Sequence, residues 1–182
     1  MQLTQPTELI PVVTNDEKLI KKSTLITNTH METVKSLLKL YGIPYIHNYE
    51  HESDVVCKWL VNYGIADMCA TNDIDCLAYG CKKSLFNINF RTKTCTYYNY
   101  DEIIKTLNMT NDEFIDFCIL LGCDYCTGLT EMKPDIIYKY FIESRTIEGT
   151  LDKMLKDGHS VPISINYEET KNYFLNPSIE KV

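Results

Sequence analysis

Three short acidic clusters follow or interrupt apolar segments of this chain, and they limit the folds open to it more than any other feature. They are Glu50-x-Glu52, Asp73-x-Asp75, and Asp124 in the run Leu-Leu-Gly-Cys-Asp-Tyr-Cys. Burying an ionised carboxylate costs free energy unless a cation or hydrogen bonds compensate it. Converging carboxylates without matching Lys or Arg residues suggest hard divalent cations such as Mg2+. The clusters therefore predict a fold that gathers them at one catalytic metal site.

The composition indicates one globular domain, with room for a helical appendage. The chain has 182 residues, of which 45% are hydrophobic and 24% charged, so we do not expect disorder throughout. No apolar run approaches the roughly 20 residues of a membrane span, and the N-terminal sequence lacks a signal-peptide pattern. We expect a nuclear or cytoplasmic protein without a membrane partner. The net charge of -7 is only a weak argument against nucleic acid, because bound cations reverse the field of an acidic site.

The eight cysteines do not follow a familiar metal-binding or redox pattern. Cys123 and Cys126 form the only close pair, and neither a second such pair nor a spaced histidine pair completes a zinc motif. A redox CxxC motif also has a strand before it and a helix after it, and the sequence around this pair lacks that arrangement. We interpret the cysteines as reduced, mostly buried thiols.

The apolar pattern predicts an α/β part followed by a helical part. In the first part, strands alternate with helices, which favours a sheet with parallel strands. We expect an irregular lead-in over 1–15, a basic helical piece over 17–22, helices over 31–41, 53–63 and 74–79, strands over 43–46 and 65–71, and a paired ribbon over 84–90 and 94–100. Val34, Leu37, Leu38 and Tyr41 share one face of helix 31–41, which ends at Gly42.

Successive short helices fill the second part, over 101–107, 111–121, 134–143 and 147–156. Asn111 suits the start of its helix and Gly122 the end, while Pro134 suits a first helical position.

The acidic clusters lie where this architecture would bring them together. Asp73 and Asp75 follow a predicted strand, and ligands of open α/β sheets gather at the carboxyl ends of strands. Glu50 and Glu52 are two residues apart in an extended segment and would point to one side. Asp124 comes just after a helix and could complete the cluster from the helical part. Such carboxylates suit a pair of divalent ions that promotes phosphoryl displacement.

Each cluster taken alone also has an ordinary explanation. Glu50 and Glu52 could be acids that favour a helix N-terminus, and Asp73 and Asp75 could be turn and capping residues. Asp124 could be a loop acid. The metal-site hypothesis depends on the three clusters occurring together.

Three long motifs resemble those of the flap endonuclease/XPG family of structure-specific 5′ nucleases. They are GIPYIHNYEHES, ATNDIDCLAYG and FCILLGCDYC, in the family's order and at nearly its spacing, and the similarity extends from about Glu17 to the C-terminus. The resemblance implies a PIN-like parallel-sheet core, incomplete at its N-terminal side, followed by a helix-two-turn-helix region. It also implies Mg2+-dependent hydrolysis of phosphodiester bonds in branched or 5′-flap DNA during replication and repair.

The resemblance assigns roles to particular residues. The catalytic ligands of two Mg2+ ions, for which Mn2+ could substitute, would be Glu50, Glu52, Asp73, Asp75 and Asp124. Lys133 is a candidate DNA-binding residue. Independently of the resemblance, Lys21 and Lys22 could contact phosphates, although a solvated helix face explains them equally well. The implied domains are a lead-in with a remnant of the helical arch over 1–30, an α/β nuclease part over 31–126 and a helical DNA-binding part over 127–182.

Two departures from the family pattern leave a second hypothesis open. The family's opening strand, with its acidic residues, has no counterpart here, so we expect a partial chain that needs a separate N-terminal half. The family's Gly-Ile-Gly-Pro turn reads Glu131-Met132-Lys133-Pro134, so Lys133 would replace a backbone contact to phosphate. No sliding-clamp motif is recognisable. The alternative to an enzyme is a non-catalytic DNA-structure-binding or scaffold protein that keeps the fold.

Overall fold

The computed structural model describes residues 25–48, 51–161 and 166–177. The predicted lead-in, the basic piece over 17–22 with Lys21 and Lys22, and Glu50 lie outside these ranges. The chain divides into two compact units, Met1–His47 and Asn48–Val182, and each is described by itself.

The described part of the first unit contains one helix, α1 (Asn28–Leu40). A reciprocal capping box starts it: the His30 amide donates to Thr27 Oγ1 over 3.4 Å, and the Thr27 amide donates to His30 Nδ1 over 3.2 Å. The helix is confirmed, but its apolar face is not a core, because Val34 and Leu37 are about half exposed and no helix residue is buried.

The predicted strand over 43–46 is wrong. This segment is irregular, and the described three-stranded sheet has no strand from it. The Ile43 amide donates to the Leu38 carbonyl over 2.9 Å, which continues the end of α1. A β-branched sequence becomes a strand only where a neighbouring strand accepts its ladder hydrogen bonds.

The second unit begins with an α/β arrangement. Its elements are α2 (Ser53–Asn62), β1 (Cys69–Ala70), α3 (Asp75–Ala78), β2 (Lys83–Asn89) and β3 (Thr94–Asn99). The sheet order is β1-β2-β3, with β1 parallel to β2 and β2 antiparallel to β3. The predicted ribbon and the α/β class with a parallel pair are confirmed.

The predicted strand over 65–71 shrinks to the two residues of β1. The amides of Ile65 and Ala66 both donate to the Leu60 carbonyl, over 2.9 and 3.1 Å, and so complete the end of α2. Because these two amides are engaged there, they are not available to a sheet ladder.

Five helices follow in the described part of this unit: α4 (Tyr100–Leu107), α5 (Asn111–Leu121), α6 (Pro134–Ser144), α7 (Ile147–Lys156) and α8 (Tyr167–Leu175). The predicted α4 to α7 are confirmed within about one residue, while α8 was not predicted. Thr110 caps α5 in a second reciprocal box with Glu113, and the helix begins at Asn111, as predicted. Pro134 lies in the first turn of α6 as expected.

The main core surrounds α5. Ile119 and Leu120 of α5 and Phe141 of α6 are fully buried, and the same cluster extends from Val55 to Phe174. The cluster therefore includes residues on both sides of position 126, where the sequence predicted the boundary between the nuclease part and the DNA-binding part. Those domain bounds stay a prediction. Among the described residues, no helix has the length and apolar character that crossing a membrane requires.

Candidate metal centre

Asp73 and Asp75 lie at the carboxyl end of β1, as predicted. The Thr71 amide extends the parallel ladder by donating to the Leu85 carbonyl over 3.0 Å. Beyond it, the Asp73 amide donates to Thr71 Oγ1 over 2.9 Å, and the Asp75 amide donates to Asp73 Oδ1 over 3.1 Å. These bonds turn the chain from the strand into α3. They leave Asp73 exposed and Asp75 only 9% exposed.

A tight turn after α5 brings Asp124 to the same place. Cys123 and Cys126 exchange backbone hydrogen bonds of 2.7 and 3.1 Å around it. The turn closes against Gly128, whose φ is +56° and where a Cβ would lie 2.5 Å from the Gly122 amide nitrogen. From this turn, the Asp124 amide comes close enough to the Asp75 carboxylate to lower its pKa. This contact links the helical part to the strand end.

Glu52 and Asp54 approach the cluster from the start of α2. Glu52 is the N-terminal cap residue and is exposed. Asp54, in the first turn, is partly buried, and its pKa is raised first by burial and then by the negative charges of Asp73 and Glu52. Asp54 therefore belongs to the same acidic neighbourhood, although none of the sequence motifs pointed to it. The available signal was the continued two-residue spacing after Glu50 and Glu52.

The electrostatics of the site centre on Asp75. Burial raises its pKa to about 6, and the negative charges of Asp73, Asp124 and Asp54 push it in the same direction. The Asp124 amide opposes this shift by donating to the ionised form. The structure thus holds Asp75 among like charges, an arrangement that a bound cation would relieve.

The carboxylates are neighbours without forming a closed ligand cage. Among the described residues, one group of three or more candidate ligands has its donor atoms within 4.8 Å of one another, and it consists of Cys69, Cys76 and Cys81 rather than acids. Of the five predicted site residues, Asp73 and Asp124 act on Asp75, Glu52 is a neighbour of Asp54 and Tyr125, and Glu50 lies outside the described ranges.

Two tyrosines border the acidic cluster. The Tyr79 and Tyr125 hydroxyls lie 3.1 Å apart, and Glu52 is near enough to raise the pKa of Tyr125, after the larger effect of burial. The Tyr125 ring stacks on Tyr173 of α8, with ring centroids 5.3 Å apart. These contacts tie the turn that carries Asp124 to both α2 and α8.

Lys133, the third predicted DNA-binding residue, is exposed immediately before α6, at its N-terminal cap position. Its side chain is therefore available to an anion at a helix N-terminus, where the helix dipole also favours negative charge.

The fold matches solved structures of nuclease cores. The chain superimposes on flap endonuclease-1 from Methanococcus jannaschii with a TM-score of 0.64 and 21% identity, covering 91% of this chain and 51% of that one. The catalytic core of Rad2 in complex with DNA substrate gives a TM-score of 0.65 and 24% identity, covering 88% and 51%. The chain is thus an α/β protein with a helical second half and with acidic residues at the end of a strand.

Sequence comparison then identifies the family. Residues 42–124 match the XPG I-region. The chain is 35% identical to Flap endonuclease 1 of Aedes aegypti over 92% of this chain and 45% of that protein. It is 33% identical to that of Plasmodium falciparum over 85% of this chain and 26% of that protein. The chain belongs to the flap endonuclease/XPG family, and it spans less than half the length of these relatives.

Proposed function

We propose that this chain is the carboxylate-bearing part of a divalent-metal-dependent nuclease that hydrolyses phosphodiester bonds in branched DNA. One observation carries the proposal: Asp75 is nearly buried beside Asp73, Asp124 and Asp54, so that its pKa rises to about 6. A stable fold gains nothing from such repulsion. An acidic cluster kept at a strand end is typical of a metal-binding catalytic site.

The donors fit Mg2+, or Mn2+ in its place, because both ions prefer carboxylate oxygens. Glu52, Asp73, Asp75 and Asp124 would hold the metal, with Asp54 beside them and Glu50 as a predicted ligand. Bound ions of this kind lower the pKa of a water and stabilise charge on phosphate oxygens. The chain itself would help to orient the ligands, because the Asp124 amide lies near the Asp75 carboxylate and Tyr125 lies near Glu52.

The proposed substrate is DNA with a 5′ single-stranded branch. Support comes from the flap endonuclease relatives and from solved neighbours described as complexes with DNA substrate and with Holliday junction DNA. Lys133, exposed at the start of α6, would contact a duplex phosphate through its side chain.

A metal-binding measurement tests whether the acidic cluster binds a divalent cation. Calorimetric titration with Mn2+ should show binding to the wild type and at least a tenfold loss of affinity in Asp73→Asn/Asp75→Asn. Asp152→Asn, which changes an exposed acid on α7, is the matched control and should bind as the wild type does. Undiminished Mn2+ binding by the double variant, with its circular dichroism unchanged, would count against the site.

A cleavage assay separates the two hypotheses for function. With the family's N-terminal half supplied to every reaction, we expect an end-labelled 5′-flap duplex to be cut near the branch in Mg2+ and to stay intact in EDTA or with the double variant. Binding of the flap duplex that survives the double substitution, with no cleavage by the wild type, would instead support a DNA-structure-binding protein. Lys133→Ala should weaken duplex binding and reduce its salt dependence, because one phosphate contact is lost.

A further inference from the structure

Four cysteines gather around β1 and α3, and one of them, Cys76, immediately follows Asp75 of the acidic site. The Sγ atoms of Cys69, Cys76 and Cys81 all lie within 4.8 Å of one another. Cys76 and Cys81 are fully buried, and Cys69 is 5% exposed. Cys57, on α2, is partly buried and packs against the same cluster. All four are free cysteines.

We propose that Cys69, Cys76 and Cys81, with Cys57 as the fourth ligand, form a thiolate site for Zn2+. A tetrahedral zinc-thiolate site has Zn–S distances of about 2.3 Å, which places the sulfur atoms about 3.8 Å apart. The spread of Cys69, Cys76 and Cys81 within 4.8 Å is therefore close to that of three preformed ligands, and Cys57, which packs against them, would complete the set. Binding replaces each S–H bond by a Zn–S bond and releases one proton per thiol to solvent, with no change of oxidation state.

The surroundings of the thiols favour a metal over ordinary packing. A buried cysteine alone behaves as a small apolar side chain. Here cysteines make up most of their own small cluster, in which the other described members are Val61 and Ala66. The Ser84 hydroxyl is fully buried and lies 3.8 Å from Cys76 Sγ. It could donate to a thiolate there, as residues around metal ligands commonly do.

The four ligands come from separate elements, which is why the sequence pattern hides them. Cys57 lies on α2, Cys69 on β1, Cys76 on α3 and Cys81 just after α3. Eleven, six and four residues separate them along the chain, so no short motif appears. Parallel pairing places Cys69 opposite Ser84, and the turn of α3 returns Cys76 and Cys81 to the same point. A metal there would fix α2, β1 and α3 relative to one another.

The direct test is a Co2+ titration of the reduced wild-type protein in excess Mg2+, which occupies oxygen ligands without competing for thiolates. We expect one Co2+ per chain, with the intense sulfur-to-cobalt charge-transfer absorption of a tetrahedral thiolate site. Zn2+ should displace it stoichiometrically, with release of protons and a higher unfolding temperature. A folded, fully reduced wild type without charge-transfer absorption would overturn the proposal.

Matched serine variants locate the site. Cys81→Ser should weaken Co2+ affinity by about 100-fold or more, because one of the four direct metal ligands is lost. Cys95→Ser, an exposed position on β3, should leave the spectrum unchanged. Loss of the absorption in Cys126→Ser with its retention in Cys81→Ser would place the metal at the other close pair and refute the assignment. So would a disulfide among the four cysteines that forms readily in air while Zn2+ is present.

Discussion

Replacing Asp75 with Asn should stabilise the metal-free protein at neutral pH. The folded chain raises the pKa of Asp75 from 3.8 to about 6. The folded state therefore binds this proton more tightly than the unfolded state, and stability is lost as pH rises from about 4 through 6. At about 1.4 kcal/mol per pKa unit the loss is at most about 3 kcal/mol. Asp73 and Asp124 are exposed, so solvent screening reduces the expected gain in Asp75→Asn to about 1–2 kcal/mol.

Urea unfolding in EDTA at pH 7, 5 and 4 measures this effect. Asp75→Asn keeps a carbonyl oxygen to accept from the Asp124 amide, so the substitution removes charge with little change of shape. The stability difference should be largest at pH 7, about half as large at pH 5, and small at pH 4, which is close to the unfolded pKa of 3.8 and well below the folded pKa of about 6. Asp152→Asn should change stability by less than about 0.5 kcal/mol.

Added Mg2+ should make the wild type more stable than Asp75→Asn. The wild type gains stability in proportion to the logarithm of cation concentration, and Asp75→Asn gains less because a ligand has lost its charge. If Asp75→Asn were less stable than the wild type at pH 7 in EDTA, the repulsion inferred at the acidic cluster would be refuted.

Three further substitutions probe how the site is supported, each by urea unfolding. Gly128→Ala should cost more than about 3 kcal/mol, because its Cβ would lie 2.5 Å from a backbone atom at a positive φ. The control is Gly158→Ala, at φ +83° with open space around it, which isolates the φ penalty and should cost about 1 kcal/mol. Equal costs of the two substitutions would contradict the steric overlap inferred at Gly128. Thr110→Ala should cost about 1 kcal/mol through loss of the α5 cap; no loss would show that the cap is dispensable. Lys171→Met should cost about 1–3 kcal/mol at pH 7, because it leaves the buried Asp116, 2.6 Å away, without its cation. A double-mutant cycle with Asp116→Asn should show coupling between the two residues. Simple additivity of the two substitutions would argue against the ion pair.

The helices of the second half could be predicted closely because their ends carry local signals. Thr110 with Glu113 forms a capping box, Gly122 ends α5, and Pro134 suits a first helical turn. Such hydrogen bonds and backbone preferences depend on few residues, so the sequence shows them directly. The α/β class followed for a similar reason, since the ribbon alternates with a period of two.

Strand extent could not be predicted, because it depends on partners far along the chain. Ile43 and Ile65 lie in β-branched segments, yet their amides donate to the ends of the preceding helices instead of to a strand. The same limit applies to the apolar face of α1: the pattern predicts an amphipathic helix, but it does not state what the face contacts.

The candidate site was predicted in its parts and missed in its details. Asp73, Asp75 and Asp124 could be proposed because each follows an apolar segment, and the Asp124 amide does reach Asp75. Asp54 was missed because, as a first-turn acid of α2, it looks like an ordinary helix N-terminal residue. Its importance appears only through the neighbouring Asp73, nineteen positions later in the chain.

The carboxylate and thiol clusters share backbone segments, which makes a coupling between them testable. Asp54 lies one helical turn before Cys57 on α2, and Asp75 immediately precedes Cys76 on α3. Oxygen ligands prefer Mg2+ and thiolates prefer Zn2+, so the two sites can fill without competing. If Zn2+ fixes α2 and α3, its removal should free the acids to separate and so weaken Mn2+ binding.

We therefore expect a zinc chelator to lower Mn2+ affinity at the acidic cluster by about fivefold or more in the wild type, and to have no such effect in Cys81→Ser. Electron spin resonance of Mn2+ measures that affinity while leaving diamagnetic Zn2+ silent. Equal Mn2+ affinities with and without Zn2+ would mean that the carboxylates are positioned by their own hydrogen bonds, above all by the Asp124 amide, and that the thiol site stabilises the fold without tuning the acidic site.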